Sequence, residues 1–172
     1  DSSLALADWQ GFAKRKEFSD GRGLLRGIGV SNYVETPVGF PREVCEITID
    51  PAGGVTVAVG TQSHGQGHET SFAQVVAEKL SVNFDQVGVV FGDTDLVPDG
   101  GGTHSNRSMR IAGTLMVQGC DNIIHQGKNQ AADILEADVG DIEYRDGVFM
   151  VTGTDHEISL FELSAIAEET KT

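Results

Sequence analysis

Between Glu43 and Leu80 the apolar period of the chain changes from two to that of a helix across one loop rich in glycine and glutamine. Cys45, Ile47 and Ile49 alternate with Glu46 and Thr48, the pattern of a half-buried strand. Asp50-Pro51-Ala52-Gly53-Gly54 is a turn, and Val55, Val57 and Val59 form the returning strand of a β-hairpin. From His68 to Leu80 the apolar residues Phe72, Val75, Val76 and Leu80 fall at helical spacing. The joining run is Gly60-Thr61-Gln62-Ser63-His64-Gly65-Gln66-Gly67-His68-Glu69-Thr70. Gly65 and Gly67 leave the backbone free to adopt positive φ and to approach a ligand closely. Gln62 and Gln66 add amide donors and carbonyl acceptors. The N–H groups at the start of the following helix point back at the loop and favour an anionic or electron-rich group. This suits a polar, phosphate-bearing cofactor, although Gly-x-Gly alone is equally a plain tight turn. Neither the P-loop nor the dinucleotide fingerprint is present, since no Lys follows Gly67 and the third glycine is missing.

A second connection has the same form. Val87 to Phe91 reads as a short buried strand, ended by Gly92-Asp93-Thr94-Asp95. A loop rich in Gly and Pro follows, with Gly100-Gly101-Gly102, and leads through Thr103-His104-Ser105-Asn106-Arg107-Ser108 into a long helix over 105–137. If the two strands share a sheet and a direction, both loops lie at one edge, where crevices bind ligands. Thr103, Ser105 and Ser108 offer hydroxyls, and the Arg107 guanidinium fits a phosphate bidentately. Ser105 and Ser108 serve equally as helix caps.

Elsewhere, Leu4 to Ala13 suggest a first helix ending in Lys14-Arg15-Lys16, and Gly27 to Thr36 reads as a strand. Pro37-Val38-Gly39-Phe40-Pro41 is a rigid loop and a candidate boundary. Gly113, Gly119 and Gly127 let the long helix approach another element or kink it. A second hairpin turns at Asp146-Gly147, and a last helix over 159–169 carries Ser159 and Glu162 as a capping box. Strand pairs mixed with helices give an α+β fold: a mixed sheet with two hairpins and packed helices. The 172 residues suffice for a single domain, 1–172. The start at Asp1 and the polar end, Glu168 to Thr172, read as a segment of a longer chain.

A formal net charge of −14 argues against a nucleic-acid partner. Cys45 and Cys120 lie far apart and match no zinc or iron–sulfur spacing; both read as reduced core residues, with a disulfide left open. No apolar run is long enough to span a bilayer, and no signal peptide is visible, so the cytoplasm is the expected compartment. His64 and His68 could form a metal pair only on a helix, which Gly65 and Gly67 oppose. Asp93 and Asp95 read as turn formers ahead of a magnesium pair. An acidic hydrolase using His68 and Glu69 is a rival reading, as is a non-catalytic interaction module.

Taken together, Gly60 to Gln74, Gly92-Asp93-Thr94-Asp95, Gly102-Thr103 and Ser105-Asn106-Arg107-Ser108 resemble the cofactor loops of the molybdenum hydroxylases. That family includes xanthine dehydrogenase, aldehyde oxidase and the large subunit of aerobic CO dehydrogenase, with the bacterial CO dehydrogenase-like branch nearest. The resemblance runs from Gly27 to the second hairpin. It implies a segment of the molybdopterin-binding large subunit. Gln62, Gly65, Gln66, Gly67 and His68 would lie at the pterin and the molybdenum, and Thr103, Ser105, Arg107 and Ser108 at the pterin and pyrophosphate. The implied cofactor is molybdopterin cytosine dinucleotide, whose metal is held by the pterin dithiolene, so no side chain here need ligate it. The implied chemistry is oxidative hydroxylation of an aldehyde, an N-heterocycle or a CO-like substrate. The implied partners are the remainder of the large subunit and iron–sulfur and FAD subunits or domains. An apolar surface left by missing neighbours could pair two copies as a homodimer. The family's catalytic glutamate lies in a Gly-Glu-Gly-type motif, which this sequence lacks, and neither cysteine matches the active-site Cys context of CO dehydrogenases. The chain should therefore form one wall of a site and be inactive alone.

Overall fold

A computed structural model describes residues 2–36 and 39–169. Pro37 and Val38 of the expected rigid loop, and residues 170–172 of the polar end, lie outside the described residues. The chain divides into two compact units, Asp1–Glu35 and Thr36–Thr172.

In the first unit, α1 (Ser2–Leu6) and α2 (Phe12–Asp20) replace the single expected helix. The break comes at Asp8, whose φ of 45° is left-handed and whose carboxylate accepts from Gly11 N. Arg15 turns back to pair with this carboxylate and to donate to the Ala7 and Asp8 carbonyls. The basic triplet thus lies early in α2 and not at its C-terminus. Among the described residues no backbone pairs with 27–36, and the expected strand there is not formed. A strand needs a partner for its N–H and C=O groups, and apolar alternation alone does not supply one.

The second unit is built on a three-stranded sheet in the order β1 (Cys45–Asp50), β2 (Gly54–Val59), β3 (Val87–Phe91). β1 and β2 form the expected hairpin, and β2 and β3 run parallel. The crossover is α3 (His68–Leu80), so β2, α3 and β3 make a βαβ unit. The register aligns Ile49, Val55 and Val87 in one row, Ile47, Val57 and Val89 in the next, and Cys45, Val59 and Phe91 in the third. This continuous apolar face packs with Phe72, Val76 and Leu80 of α3 and with Met116 and Cys120 of α4 (Gly113–Ile134). α4 is preceded by a π-helical turn, Ser108–Ala112.

The glycines of α4 are contact points. A Cβ on Gly119 would lie 3.0 Å from Ile47 Cδ1, and one on Gly127 would lie 2.8 Å from Phe149 Cε1. Phe149 belongs to a second, antiparallel sheet of β4 (Ile142–Arg145), β5 (Val148–Val151) and β6 (Glu157–Ser159). Its hairpin turns at Asp146 and Gly147, with φ of 54° and 80°. β6 is a strand that the sequence pattern did not reveal; its three residues are too few to show alternation. Ser159 and Glu162 form the expected capping box at the start of α5 (Leu160–Glu169). The architecture is α+β. No helix among the described residues is long and apolar enough to cross a membrane.

Candidate functional site

Because β2 and β3 are parallel neighbours, their C-terminal ends lie side by side, and the loops that leave them meet. The join is a set of hydroxyls. Thr61 Oγ1 lies 2.6 Å from Ser108 Oγ and 3.0 Å from Thr103 Oγ1, and it donates to the Gly102 carbonyl at 3.1 Å. Gln62 N donates to Thr103 Oγ1 at 3.1 Å, and that hydroxyl also bonds the Gln62 carbonyl. Thr61 and Ser108 are buried, so the inner bond of this network is shielded from water, while its Gln62–Thr103 end is exposed; together they fix one loop against the other.

Glycines allow the approach. A Cβ on Gly60 would come within 2.5 Å of Glu43 Oε1 and 2.6 Å of Gly100 Cα. Gly100 of the second loop therefore serves close packing of backbone on backbone, while Gly101 makes room for the Arg107 guanidinium. Gly65 and Gly67 differ: both have positive φ, 97° and 75°, and both face open space. Gly67 ends the loop in the left-handed region and, without a side chain, makes no capping bond to α3. In the first turn of α3, His68 is buried and the Glu69 carboxylate bonds its own backbone N–H. Gln66 Oε1 accepts from His64 N, which pins the loop's tip and fixes the direction of its amide.

The cleft between the loops has a volume of about 430 Å³ and is lined by Gln66, His68 and the run from Thr103 to Met109. His68 is nearly buried, its ring stacked on Phe72 at 4.8 Å and 5°. Burial holds its imidazole below the usual histidine pKa, against the opposing charge of Glu69. Glu69, at the surface, accepts from Ser63 Oγ at 2.9 Å. Its carboxyl is held low by its own backbone N–H first and by Ser63 second. Each side chain has a separate local partner, which is not the arrangement of a joint acid–base pair. A larger hollow of about 900 Å³ lies beside Gln74, Glu78, Ser81 and Asp146. It contains neither loop's cluster of amides and hydroxyls, so the smaller cleft is the candidate site.

Two expectations change. Arg107 is not a free fork for an anion. Its guanidinium is fully buried and donates to Glu43 Oε2 at 2.5 Å, Gly102 O at 2.6 Å, Arg42 O at 2.6 Å and Phe40 O at 2.9 Å. The long helix does not begin at Ser105, because Ser105 and Asn106 are both left-handed, with φ of 48° and 56°. Ser105 Oγ lies 3.1 Å from His104 Nδ1, and Ser108 turns to the hydroxyl network in place of capping. The π turn that follows is an irregularity common at functional sites. Asp93 accepts from Asp95 N at 3.0 Å, which is turn formation. Among the described residues, no group of three His, Cys, Asp or Glu side chains is arranged to hold a metal ion.

Sequence reasoning missed Glu43 and Thr61. Glu43 precedes the alternating strand and carries no local signal, since its partner is 64 positions away. Thr61 lay within the first loop, where a buried hydroxyl at a strand end could have been suspected.

The chain matches the family model described as "Molybdopterin cofactor-binding domain" over residues 3–171. It is 38% identical over 93% of its length to 6-hydroxypseudooxynicotine dehydrogenase complex subunit gamma of Paenarthrobacter nicotinovorans, covering 20% of that protein. It is 35% identical over 82% of its length to the carbon monoxide dehydrogenase large chain of Afipia carboxidovorans, covering 19% of it. The solved structure of Cu,Mo-CO dehydrogenase in its carbon monoxide reduced state superposes with a TM-score of 0.69 at 28% identity, over 94% of this chain and 23% of that one. Quinoline 2-oxidoreductase from Pseudomonas putida 86 shares the fold, with a TM-score of 0.67 at 24% identity, over 98% of this chain and 23% of that one. The chain spans about a fifth of the length of these curated relatives. By its sequence, its fold and its paired loops, the chain belongs to the molybdopterin cofactor-binding domain family.

Proposed function

We propose that this chain forms the cofactor-holding wall of a molybdenum hydroxylase large subunit and does not turn over substrate by itself. The observation that carries the reading is the meeting of the two loops at the C-terminal ends of parallel β2 and β3, joined by Thr61, Thr103 and Ser108. The donor set fits the group. Two open glycines with positive φ at the start of α3, a fixed Gln66 amide and backbone in the left-handed region suit a ligand rich in ring nitrogens and phosphate oxygens. In this reading Gln62, Gly65, Gln66, Gly67 and His68 hold the pterin side. Thr103, Ser105 and Ser108 shape the pyrophosphate side, and Arg107 belongs to the same wall.

When bound, the cofactor supplies oxidative hydroxylation of an aldehyde, an N-heterocycle or a CO-like substrate. The chain's own part is to bind and orient. His68, whose pKa burial lowers, presents its ring to the cleft. We further propose the cytosine dinucleotide form, a cytoplasmic setting, and the rest of the large subunit with iron–sulfur and FAD modules as partners. A homodimer is the competing association.

The test is to express the complete large subunit with its partner modules and assay molybdenum by elemental analysis and pterin by fluorescence. Near-stoichiometric metal and pterin are expected in the parent, with a several-fold loss in Gly65→Val and Gln66→Ala. A stably folded complex that contains neither metal nor pterin refutes the reading.

A further inference from the structure

We infer that Glu43 and Arg107 form a positioning clamp for the cofactor wall, and that Arg107 acts through the loop it holds instead of touching the ligand. The inference rests on the reading above and assigns Glu43 a part in it. Both side chains are fully buried, and the ion pair is 2.5 Å long. One guanidinium gathers four oxygens from two distant segments: Phe40 O, Arg42 O and Glu43 Oε2 before β1, and Gly102 O in the second loop. Glu43 completes its own coordination by accepting from Val44 N at 3.0 Å.

Glycines close around the pair. A Cβ on Gly39 would come 3.2 Å from Arg107 Cδ, one on Gly60 2.5 Å from Glu43 Oε1, and one on Gly101 2.5 Å from Arg107 Nη1. The guanidinium is therefore enclosed by protein, although Arg107 belongs to the run that lines the cleft, and at most one of its N–H groups is without one of these acceptors. What it does fix is the bend from Gly102 to Ser108. That bend holds Ser105 and Asn106 in left-handed backbone and delivers Thr103 and Ser108 to Thr61. Lysine cannot replace arginine here, because a single ammonium cannot span four acceptors in a plane. Removing the Glu43 charge leaves a buried guanidinium unpaired, so loss of either partner loosens the same loop.

The experiment is a double-mutant cycle with Glu43→Gln, Arg107→Lys and the pair combined. Hydrogen exchange and pterin content are both read on the complete subunit with its partners. We expect amide exchange over 100–108 to rise at least about tenfold in each single variant, with β1–β3 unchanged, and the double variant to be no worse than either single one. Pterin content should fall in parallel in all three. If Glu43→Gln keeps full pterin while Arg107→Lys empties the site, Arg107 contacts the ligand directly and the clamp is overturned. Unchanged exchange over 100–108 in both single variants also overturns it. Should a variant unfold throughout, Glu43→Asp, which keeps the charge but withdraws it by one methylene, must show the local rise or the clamp is rejected. A parent subunit without pterin defeats the cofactor reading alone, because the exchange cycle still tests the clamp.

Discussion

The hydroxyl of Thr61, just past the end of β2, lies 2.6 Å from the hydroxyl of Ser108, the first residue of the π turn. Both are buried, and the two residues are 47 positions apart in sequence. Thr61→Val keeps the shape and deletes the oxygen. Ser108 and the Gly102 carbonyl then each lose one partner but keep another, Thr103 Oγ1 and the Arg107 guanidinium. The expected loss is about 0.5–1.5 kcal/mol in urea unfolding, the net worth of a removed hydrogen bond whose partners stay satisfied. Thr61→Ser keeps the oxygen and should lose less than half of that. Equal losses in the two variants would show that the methyl, and not the hydroxyl, holds the loops together.

Gly100 packs on the backbone of Gly60, and a Cβ at position 100 would strike the Gly60 carbonyl, which is backbone and cannot swing aside. Gly100→Ala should therefore destabilise by about 1–3 kcal/mol through forced backbone displacement. Gly65→Ala meets no atom within 4 Å, but its φ of 97° is strained for a side chain, so it should cost about 1 kcal/mol from conformation alone. Chemical denaturation of both variants checks the order. A smaller loss for Gly100→Ala than for Gly65→Ala would show that the loop contact is slack.

The β1–β2 hairpin, α3 and β3 were legible because each has a period that a single row of neighbours explains, and burial of that row is local information. The meeting of the two loops was legible for the same reason, since parallel β2 and β3 put their ends together. The strand expected at 27–36 failed because alternation states which face would be apolar, not whether a partner is present. Arg107 was read from its chemistry, as a phosphate fork, while its direction is set by Glu43, an acid far away in sequence. The start of α4 failed because two left-handed residues, Ser105 and Asn106, are held by tertiary contacts and carry no glycine to announce them. Long-range polar partners are the part of the site that a linear pattern does not encode.

Gly127 of α4 gives its space to the Phe149 ring, which is fully buried and sits 4.6 Å from the Tyr144 ring. Alanine is the better helix former, yet Gly127→Ala should destabilise. A helix-propensity gain of about 1 kcal/mol is outweighed by an overpacked aromatic contact of about 1–3 kcal/mol. Phe149→Leu in the same chain should recover part of the loss, since the shorter side chain withdraws from the added methyl. Thermal unfolding of the two single variants and the double variant checks this. A stabilised Gly127→Ala would show that α4 can shift away from the second sheet at little cost.

Acid should weaken the fold in two separate windows. His68 has a folded pKa below its ordinary 6.5 because burial removes water from the charged ring. As pH falls through 6.5 the unfolded chain takes up a proton that the native chain refuses. The unfolded state then binds more protons, so stability falls with falling pH until the folded pKa is reached. Glu69 has a folded pKa below its ordinary 4.5, so its contribution is intact above that value and is lost only below it, as pH falls through the folded pKa. In urea titrations between about pH 7.5 and 5.5, His68→Gln should flatten the stability slope relative to the parent. Ser63→Ala should leave this range unaltered and raise the Glu69 pKa, as seen by carboxyl NMR titration. A parent slope that survives His68→Gln would assign the upper window to another group.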